Sequence, residues 1–321
     1  MNQIVIIGAG FSSAVLSHYL RNDDVIIFEK ARGPGGRSST RKVEGVGVFD
    51  HGLQYITPKS KEFLEFIKNL SLVKKWNGDF VELGETTSVL PATDKYIGIS
   101  GNNDFVKSTL NLDQCKFNHK IIKIEYKSDH WQLTTDKEQQ FQSHKLILTM
   151  PQEQTNDLIR GTGIDFEIKE HTMKPCFTMM LALQNKDFQH SGYAITNSSI
   201  LSWCANENSK QRELNNNNLT LLTIQSNEAY AFQNYKRYRE DKTLILDEML
   251  HEFLRLFEID SNQVTHKDVH GWLYAFSDHE SSSVYWDQNK QIGITGDWMT
   301  GGRAEDSWRN ANTLIDKIKS Y

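Results

Sequence analysis

Long apolar runs are missing from this chain of 321 residues. The longest is a handful of residues, far short of the roughly 20 that a helical bilayer span needs. No membrane partner is expected. Cysteine is equally scarce. Cys115, Cys176 and Cys204 are scattered without C-x-x-C spacing. They read as small buried hydrophobes in a reducing cytoplasm. An excess of basic charge is also absent, since the net charge is −5. Nucleic acid and anionic membrane surfaces are therefore not expected as partners. The opening Met1-Asn2-Gln3 is not basic, and the apolar residues after it end at a glycine turn. That is the pattern of a strand and not of a secretory signal. The histidines fall at no H-E-x-x-H or related spacing, so no metal is expected. No catalytic triad or paired-carboxylate signature stands out.

What is present is concentrated in the first thirty residues. Ile4-Val5-Ile6-Ile7 is an apolar run, followed by Gly8-Ala9-Gly10-Phe11-Ser12-Ser13. Val15, Leu16, Tyr19 and Leu20 then mark an amphipathic stretch, and Val25-Ile26-Ile27-Phe28 ends in Glu29. The order is strand, glycine turn, helix, strand and acid. Gly8 permits the tight turn. Gly10, lacking Cβ, lets a pyrophosphate approach the backbone, and the helix after it turns free N–H groups toward the phosphates. Glu29 follows Gly10 by nineteen residues, close to the separation of about 20 expected for an acid that grips ribose hydroxyls. Ser13 stands where the third glycine of G-x-G-x-x-G allows close helix–strand packing. A slightly wider approach is expected there, with dinucleotide binding retained.

The length suggests about two domains. Lys59 to Leu70 has helical spacing, with Phe63, Leu64, Phe66, Ile67 and Leu70 on one broad face. A short helix is expected near Phe105–Leu112. Ile121–Tyr126 and Trp131–Thr135 read as a hairpin, and Lys145–Leu148 as a buried strand stopped at Pro151. Strands are expected at Phe177–Leu183, Ile200–Cys204 and Leu219–Ile224, with Asn215–Asn218 a solvated loop. A helix is expected over 243–257. Ile292 to Asp297 is a strand ending in glycine and acid, and Gly301-Gly302-Arg303 leads into a terminal helix. The C-terminus thus returns to the nucleotide domain. The expected architecture is α/β, α+β overall: a Rossmann-like dinucleotide domain with an inserted mixed or antiparallel substrate domain. Residues 1–58, 96–155 and 270–321 form the first, and 59–95 and 156–269 the second.

Four separated segments resemble the flavin-containing amine oxidase superfamily, specifically its bacterial renalase-like branch. They are Gly8-Ala9-Gly10 with Glu29; Gly33-Pro34-Gly35-Gly36-Arg37; Asp50-His51-Gly52-Leu53-Gln54-Tyr55; and Gly296-Asp297-Trp298 with Gly301-Gly302-Arg303. Trp203-Cys204-Ala205-Asn206, Ser209-Lys210 and Gly271-Trp272-Leu273-Tyr274-Ala275 are similar to the same branch. The resemblance implies FAD. Gly8, Gly10 and Ser12 would hold the pyrophosphate, with Glu29 and Lys30 at the adenosine ribose. Gly36 would pass under the dinucleotide and Arg37 would offer a charged donor, or serve as a structural ion pair. Ile121 would meet adenine through its backbone. Gly52, Leu53 and Gln54 would lie beside the isoalloxazine. Gly296, Asp297, Gly302 and Arg303 would complete the flavin end, with the terminal helix's positive end toward the ring. His51 reads as a packed or solvated residue.

The branch implies hydride transfer from 2- or 6-dihydronicotinamide forms of NAD(P) to flavin, giving NAD(P)+, with O2 reduced to hydrogen peroxide. Trp203, Asn206, Trp272 and Tyr274 are the candidates for lining the substrate site, though ordinary core packing explains each singly. Two other readings stay open. One is an amine or other small-molecule oxidase, because the inserted domain chooses the substrate. The other is a flavin-binding scaffold or sensor without turnover.

Overall fold

The apolar residues after Gln3 form a strand because both faces of a parallel sheet are covered. Ile4 to Ile7 are buried on both faces in β1 (Asn2–Ile7), followed by α1 (Phe11–Tyr19) and β2 (Val25–Phe28). The computed structural model describes residues 2–166, 173–277 and 283–320. β1 and β2 lie in a parallel array with Cys115–Lys116 beyond β2. Gln140–Leu148 lies on the other side of β1, and Ile292–Ile294 beyond it. Tyr285–Asp287 adds an antiparallel edge. The hairpin Ile121–Lys127/His130–Thr135 pairs with the first half of Gln140–Leu148.

The register decides where a ligand can bind. Ile7 is level with both Phe28 and Leu148, and Leu148 is level with Ile294. Gly8, Glu29, Thr149 and Thr295-Gly296 therefore emerge side by side at the carboxyl end of one sheet. Open α/β sheets bind ligands at that end.

A second sheet covers it. Its strand order is Val264–Phe276, Lys174–Leu183, Thr220–Ser226, Leu201–Asn206, Gly192–Ile195, Phe80–Leu83 and Thr87–Val89. It is antiparallel except between Gly192–Ile195 and Phe80–Leu83. Helices Glu228–Glu240 and Lys242–Leu256 bury Tyr230, Ala231, Ile245, Met249 and Phe253 against one face. The other face meets the first unit, where Phe49 packs on Met180, Ala182 and Leu221.

The expected division of the chain shifts at two points. Helix Lys61–Lys68, expected with residues 59–95, buries Phe63 and Ile67 in the core of the parallel sheet. Each such burial contributes about 1.5–3 kcal/mol. The backbone N–H groups of Lys59 and Ser60 donate to Glu305 in the terminal helix at 2.7 and 3.0 Å, fixing it there. Strand Val264–Phe276 runs unbroken past residue 270, so the second sheet holds the chain to Phe276. Helix Glu228–Glu240 has no counterpart in the sequence reading. Among the described residues, no helix is long and apolar enough to cross a membrane.

The asparagine run also differs from expectation at its first residue. Asn215 is 8 % exposed. Its Oδ1 accepts from Val48 N at 3.0 Å, and its Nδ2 donates to the Glu207 carbonyl at 3.1 Å. It stitches the first unit to the second, whereas Asn217 and Asn218 are exposed. We expect Asn215→Ala to lower the unfolding free energy by about 1–3 kcal/mol, because two buried backbone groups lose their partner. Asn217→Ala should change it by less than about 0.5 kcal/mol. Urea titration of the two variants measures both.

Candidate functional site

The site is built from the turn after β1. Gly8 has φ +102°, and a Cβ there would press on the Thr149 hydroxyl. A Cβ on Gly10 would meet nothing within 4 Å, so open space lies above the turn. The Gly35–Gly36 segment is seated on this turn. Gly35 N donates to the Ala9 carbonyl at 2.9 Å. Gly36, at φ +52°, lies so close that its Cβ would be 3.3 Å from Gly10 Cα. No side chain caps α1 among the described residues, which leaves its first amides directed at that space.

Ser13 has a role of its own. Its buried hydroxyl donates to the Gly8 carbonyl and lies 2.8 Å from Thr149 Oγ1, which donates to the Ile7 carbonyl. The hydroxyl links α1 to the ends of two strands. Ser12 Oγ lies 2.6 Å from Ser307 Oγ, joining the starts of α1 and the terminal helix Ala304–Lys319.

Glu29 is 8 % exposed. One carboxylate oxygen accepts from Ala9 N and the other from Ala31 N, both at 2.8 Å. Each oxygen keeps a further lone pair. Glu29 thus holds the glycine turn and retains acceptor capacity for hydroxyls. His119 N donates to the Glu29 carbonyl at 3.0 Å, bringing buried Ile121 alongside. Lys30 is exposed and donates to Gln154 Oε1 at 3.1 Å.

Arg37 pairs with Asp297 and donates to the Ala275 carbonyl at 3.3 Å. This ion pair fastens the Gly-Gly-Arg segment to the end of strand Ile292–Ile294. Asn310 Nδ2 donates to the Gly296 carbonyl at 2.8 Å, and Gly302 N to the Asp297 carbonyl at 2.9 Å. Arg303 is exposed at the start of the terminal helix, and its N donates to Asp306 at 2.9 Å. Glu305 and Asp306 are buried in the first turn, so they already offset part of this helix's positive end.

Between these points lies the segment Asp50–Tyr55. Leu53 N donates to the Arg37 carbonyl at 2.8 Å. A Cβ on Gly52 would run into that same carbonyl. Gln54 Nε2 donates to the carbonyls of Asp50 at 2.6 Å and Gly52 at 3.0 Å, and its Oε1 is buried with no partner among the described residues. Asn102 Nδ2 holds the carbonyls of Leu53 and Gln54.

Beneath this segment sit four charged side chains, each at most 1 % exposed. Asp50 Oδ2 accepts from Lys210 at 2.8 Å and Arg212 at 2.5 Å. Glu207 accepts from Lys210 at 3.0 Å and Arg212 at 3.1 Å. Burial works to raise the Asp50 carboxyl, but the two cations outweigh it and hold it well below the usual carboxylate range. The sequence reading quoted Asp50 and Lys210 without joining them. Their separation of 160 residues hides the pairing.

Of the four substrate-lining candidates, Trp203 and Trp272 border the Asp50–Tyr55 segment, while Asn206 and Tyr274 have other contacts. Trp203 lies in a cluster of rings with Tyr55, Trp76 and Phe80. Its buried Nε1 has no partner among the described residues. Lys95, 5 % exposed, places Nζ 4.1 Å over the Phe80 ring and 5.3 Å from the Tyr55 ring. Trp272 instead donates to the His51 carbonyl at 2.7 Å, stacks on the His51 ring and touches His270. Asn206 accepts from Asn208 N at 3.1 Å and starts the short turn carrying Glu207. Tyr274 is half-buried against the first core. Gln225, absent from the sequence reading, reaches the Gly52 carbonyl at 3.1 Å.

Among the described residues, no group of side chains could hold a metal. Cys176 and Cys204 are buried and Cys115 partly so, and burial pushes the thiols up, to about 11 for Cys115 and Cys176. None is a thiolate nucleophile at neutral pH.

Comparison with known proteins agrees with this geometry. Residues 6–70 match the family model of an NAD(P)-binding Rossmann-like domain. An Exiguobacterium sp. 255-15 protein assigned as a protoporphyrinogen oxidase superposes with TM-score 0.72 at 12 % identity, over 99 % of this chain and 98 % of its own. Cyclohexylamine oxidase from Brevibacterium oxydans IH-35A gives 0.67 at 11 % identity, over 99 % of each chain. The chain has a flavin amine oxidase-type fold. A fatty acid isomerase from P. acnes is similar too, at TM-score 0.66 and 12 % identity over 99 % and 98 % of the two chains. The fold therefore leaves the reaction to be argued from the site.

Two outcomes follow from the buried charges and rings. Lys210→Met leaves two carboxylates facing one guanidinium and should cost about 3–5 kcal/mol of stability. Adding Glu207→Gln should recover part of that, measured by urea midpoints. Burial first, then His270 and Arg41, holds His51 down at about 3, and burial with Arg41 holds His270 at about 4. Unfolded histidine titrates near 6.5. Stability is therefore fully present above about pH 6.5 and is lost as pH falls toward 4, by up to about 1.4 kcal/mol per unit for each ring. Midpoints for His51→Gln across that range should show a shallower slope.

Proposed function

We propose that the protein is a FAD-dependent oxidoreductase of the renalase-like type. It oxidises 2- or 6-dihydronicotinamide forms of NAD(P) to NAD(P)+. The observation that carries the cofactor is the set of groups that strand register brings to the sheet's carboxyl end. Open space lies over Gly10, Glu29 keeps acceptor capacity beside it, and the Arg37–Asp297 pair stands at the end of strand Ile292–Ile294. Such a set suits a long dinucleotide with a second ring.

The residues fit FAD part by part. The first amides of α1 and the bare Gly10 and Gly36 backbone take the pyrophosphate, with Ser12 close by. Glu29 takes the adenosine ribose through its spare lone pairs, and Ile121 borders adenine. Lys30 lies on the exposed side of that end. Gly52, Leu53 and Gln54 flank the ring system. Asp297 serves the ribityl end together with Gly296, Gly302 and Arg303. Held by these residues, FAD would supply hydride acceptance from the substrate and two-electron reduction of O2 to hydrogen peroxide.

The substrate reading rests on what the protein residues need not do. A dihydronicotinamide loses hydride by the push of its own ring nitrogen, so no protein base is required. His51 and His270 fit that absence, because burial holds both well below the ordinary histidine range and leaves them weak proton acceptors. Trp203 and the second sheet shut water out, and Trp272 braces the His51–Gly52 backbone.

Oxidation of an amine is the competing reading. The ring cluster of Tyr55, Trp76, Phe80 and Trp203, and the fold shared with cyclohexylamine oxidase, favour it. Lys95 weighs against it. Its ammonium already lies over the Phe80 and Tyr55 rings, so an ammonium substrate would meet like charge.

Anaerobic mixing of the FAD-loaded protein with a 2-dihydronicotinamide nucleotide tests the reading. We expect the yellow flavin band to bleach at least about 100-fold faster than with ordinary NADH. Equal rates, with bleaching by an amine from a panel, would replace it with the amine reading.

A further inference from the structure

The second sheet carries one transverse row that faces the Gly52 segment. His270 is level with Thr178, Thr178 with Gln225, Gln225 with Trp203, and Trp203 with Ala194. Directly opposed residues hold their Cβ atoms about 4.5–5.5 Å apart. Two contacts fix which way the row points. Gln225 Nε2 donates to the Gly52 carbonyl at 3.1 Å, and the Trp203 ring lies 5.7 Å from the Tyr55 ring.

Gln54 and Gln225 meet there, and Trp203 stands opposite Gln225 on the neighbouring strand. Gln54 and Gln225 both donate to the same Gly52 carbonyl. Two carbonyl partners fix the orientation of the Gln54 amide, which leaves Oε1 as an acceptor with nothing to accept among the described residues. Trp203, 8 % exposed, presents Nε1–H as a donor with no acceptor among them. Buried polar groups without partners are rare and costly. The Trp203 donor and the Gln54 acceptor, with the Thr178 hydroxyl in the same row unpartnered among the described residues, define a complementary ligand. That ligand offers an oxygen to accept and an N–H to donate, on a flat group that fits among rings.

We infer that Trp203 and Gln54, with Gln225 beside them, are the specificity residues that read a primary carboxamide on the substrate ring. The inference rests on the dihydronicotinamide reading above. The amide oxygen accepts from Trp203 Nε1–H, and an amide N–H donates to Gln54 Oε1. Replacing the amide by a carboxylate removes the N–H and sets an anionic oxygen against the Gln54 acceptor. A site built to pair a substrate group rejects an analogue that leaves its own groups unpaired.

The test titrates the FAD-loaded protein with nicotinamide mononucleotide and with nicotinic acid mononucleotide, following the perturbation of the flavin absorption. The wild type should bind the amide about 10-fold or more tightly than the acid. Trp203→Phe keeps a flat ring and deletes the donor. It should weaken the amide about 10-fold and narrow the preference, with FAD content unchanged. Trp203→His restores a ring N–H and should recover part of the preference; it reads the same point if Trp203→Phe folds poorly. Equal binding of amide and acid by the wild type overturns the inference alone. So does a Trp203→Phe variant that weakens both equally. A FAD-loaded wild type that binds neither ligand overturns the substrate reading together with it.

Discussion

Two carboxylates and two cations, all withdrawn from water, decide where the two halves of this protein meet. Asp50 belongs to the first unit, and Glu207, Lys210 and Arg212 to the second. Taken singly, each charge would be costly to bury; together they balance. Their geometry reaches further than their own bonds. The Asp50 carbonyl anchors Gln54, Asp50 Oδ1 holds Asn102 N at 2.8 Å, and Asn102 holds Leu53 and Gln54. The segment proposed to lie beside the flavin is therefore clamped from below. Its position cannot relax without breaking a buried ion network.

That clamp explains how a site can be shared between two units. The carboxyl end of the parallel sheet supplies the glycine turn, Glu29 and the Gly296–Asp297 junction, level with one another by register. The second sheet supplies a roof with a polar row. Gln225 is the direct link, since it touches the backbone that the ion network holds. The Arg37–Asp297 pair ties the Gly-Gly-Arg segment to the end of strand Ile292–Ile294. In this arrangement Arg37 and Asp297 are bound to each other, so any contact they make with a cofactor builds on that ion pair.

Local chemistry made the first unit readable from sequence. A four-residue apolar run, a glycine turn and an acid at a set distance each report on neighbours within thirty residues. The same holds for the hairpin at Ile121–Thr135 and for the terminal helix. The roof was harder to read. Gln225 and Trp203 become neighbours only through strand register, and nothing in their local sequence announces it. Asp50 and Arg212 pair across 162 residues. Asn215 looked like part of a solvated run, because a buried asparagine and an exposed one have the same local surroundings in sequence. Helix Lys61–Lys68 was visible by its spacing, but its allegiance to the first core depended on Glu305, far along the chain. Ser13 looked like a departure from a glycine motif; in the fold its hydroxyl supplies bonds that glycine lacks.

Gly10 offers the most direct test of the proposed dinucleotide site. Its backbone is extended at φ −93°, and a Cβ meets nothing within 4 Å. The Cβ of Gly10→Val therefore enters open space assigned to the pyrophosphate. Purified wild-type protein should be yellow and release FAD on denaturation. Apoprotein of Gly10→Val should melt within a few degrees of wild-type apoprotein while its FAD affinity falls at least about 100-fold, roughly 2.7 kcal/mol. A colourless wild type that refuses FAD, or a Gly10→Val variant that binds it undiminished, would contradict the glycine turn as part of a flavin dinucleotide site.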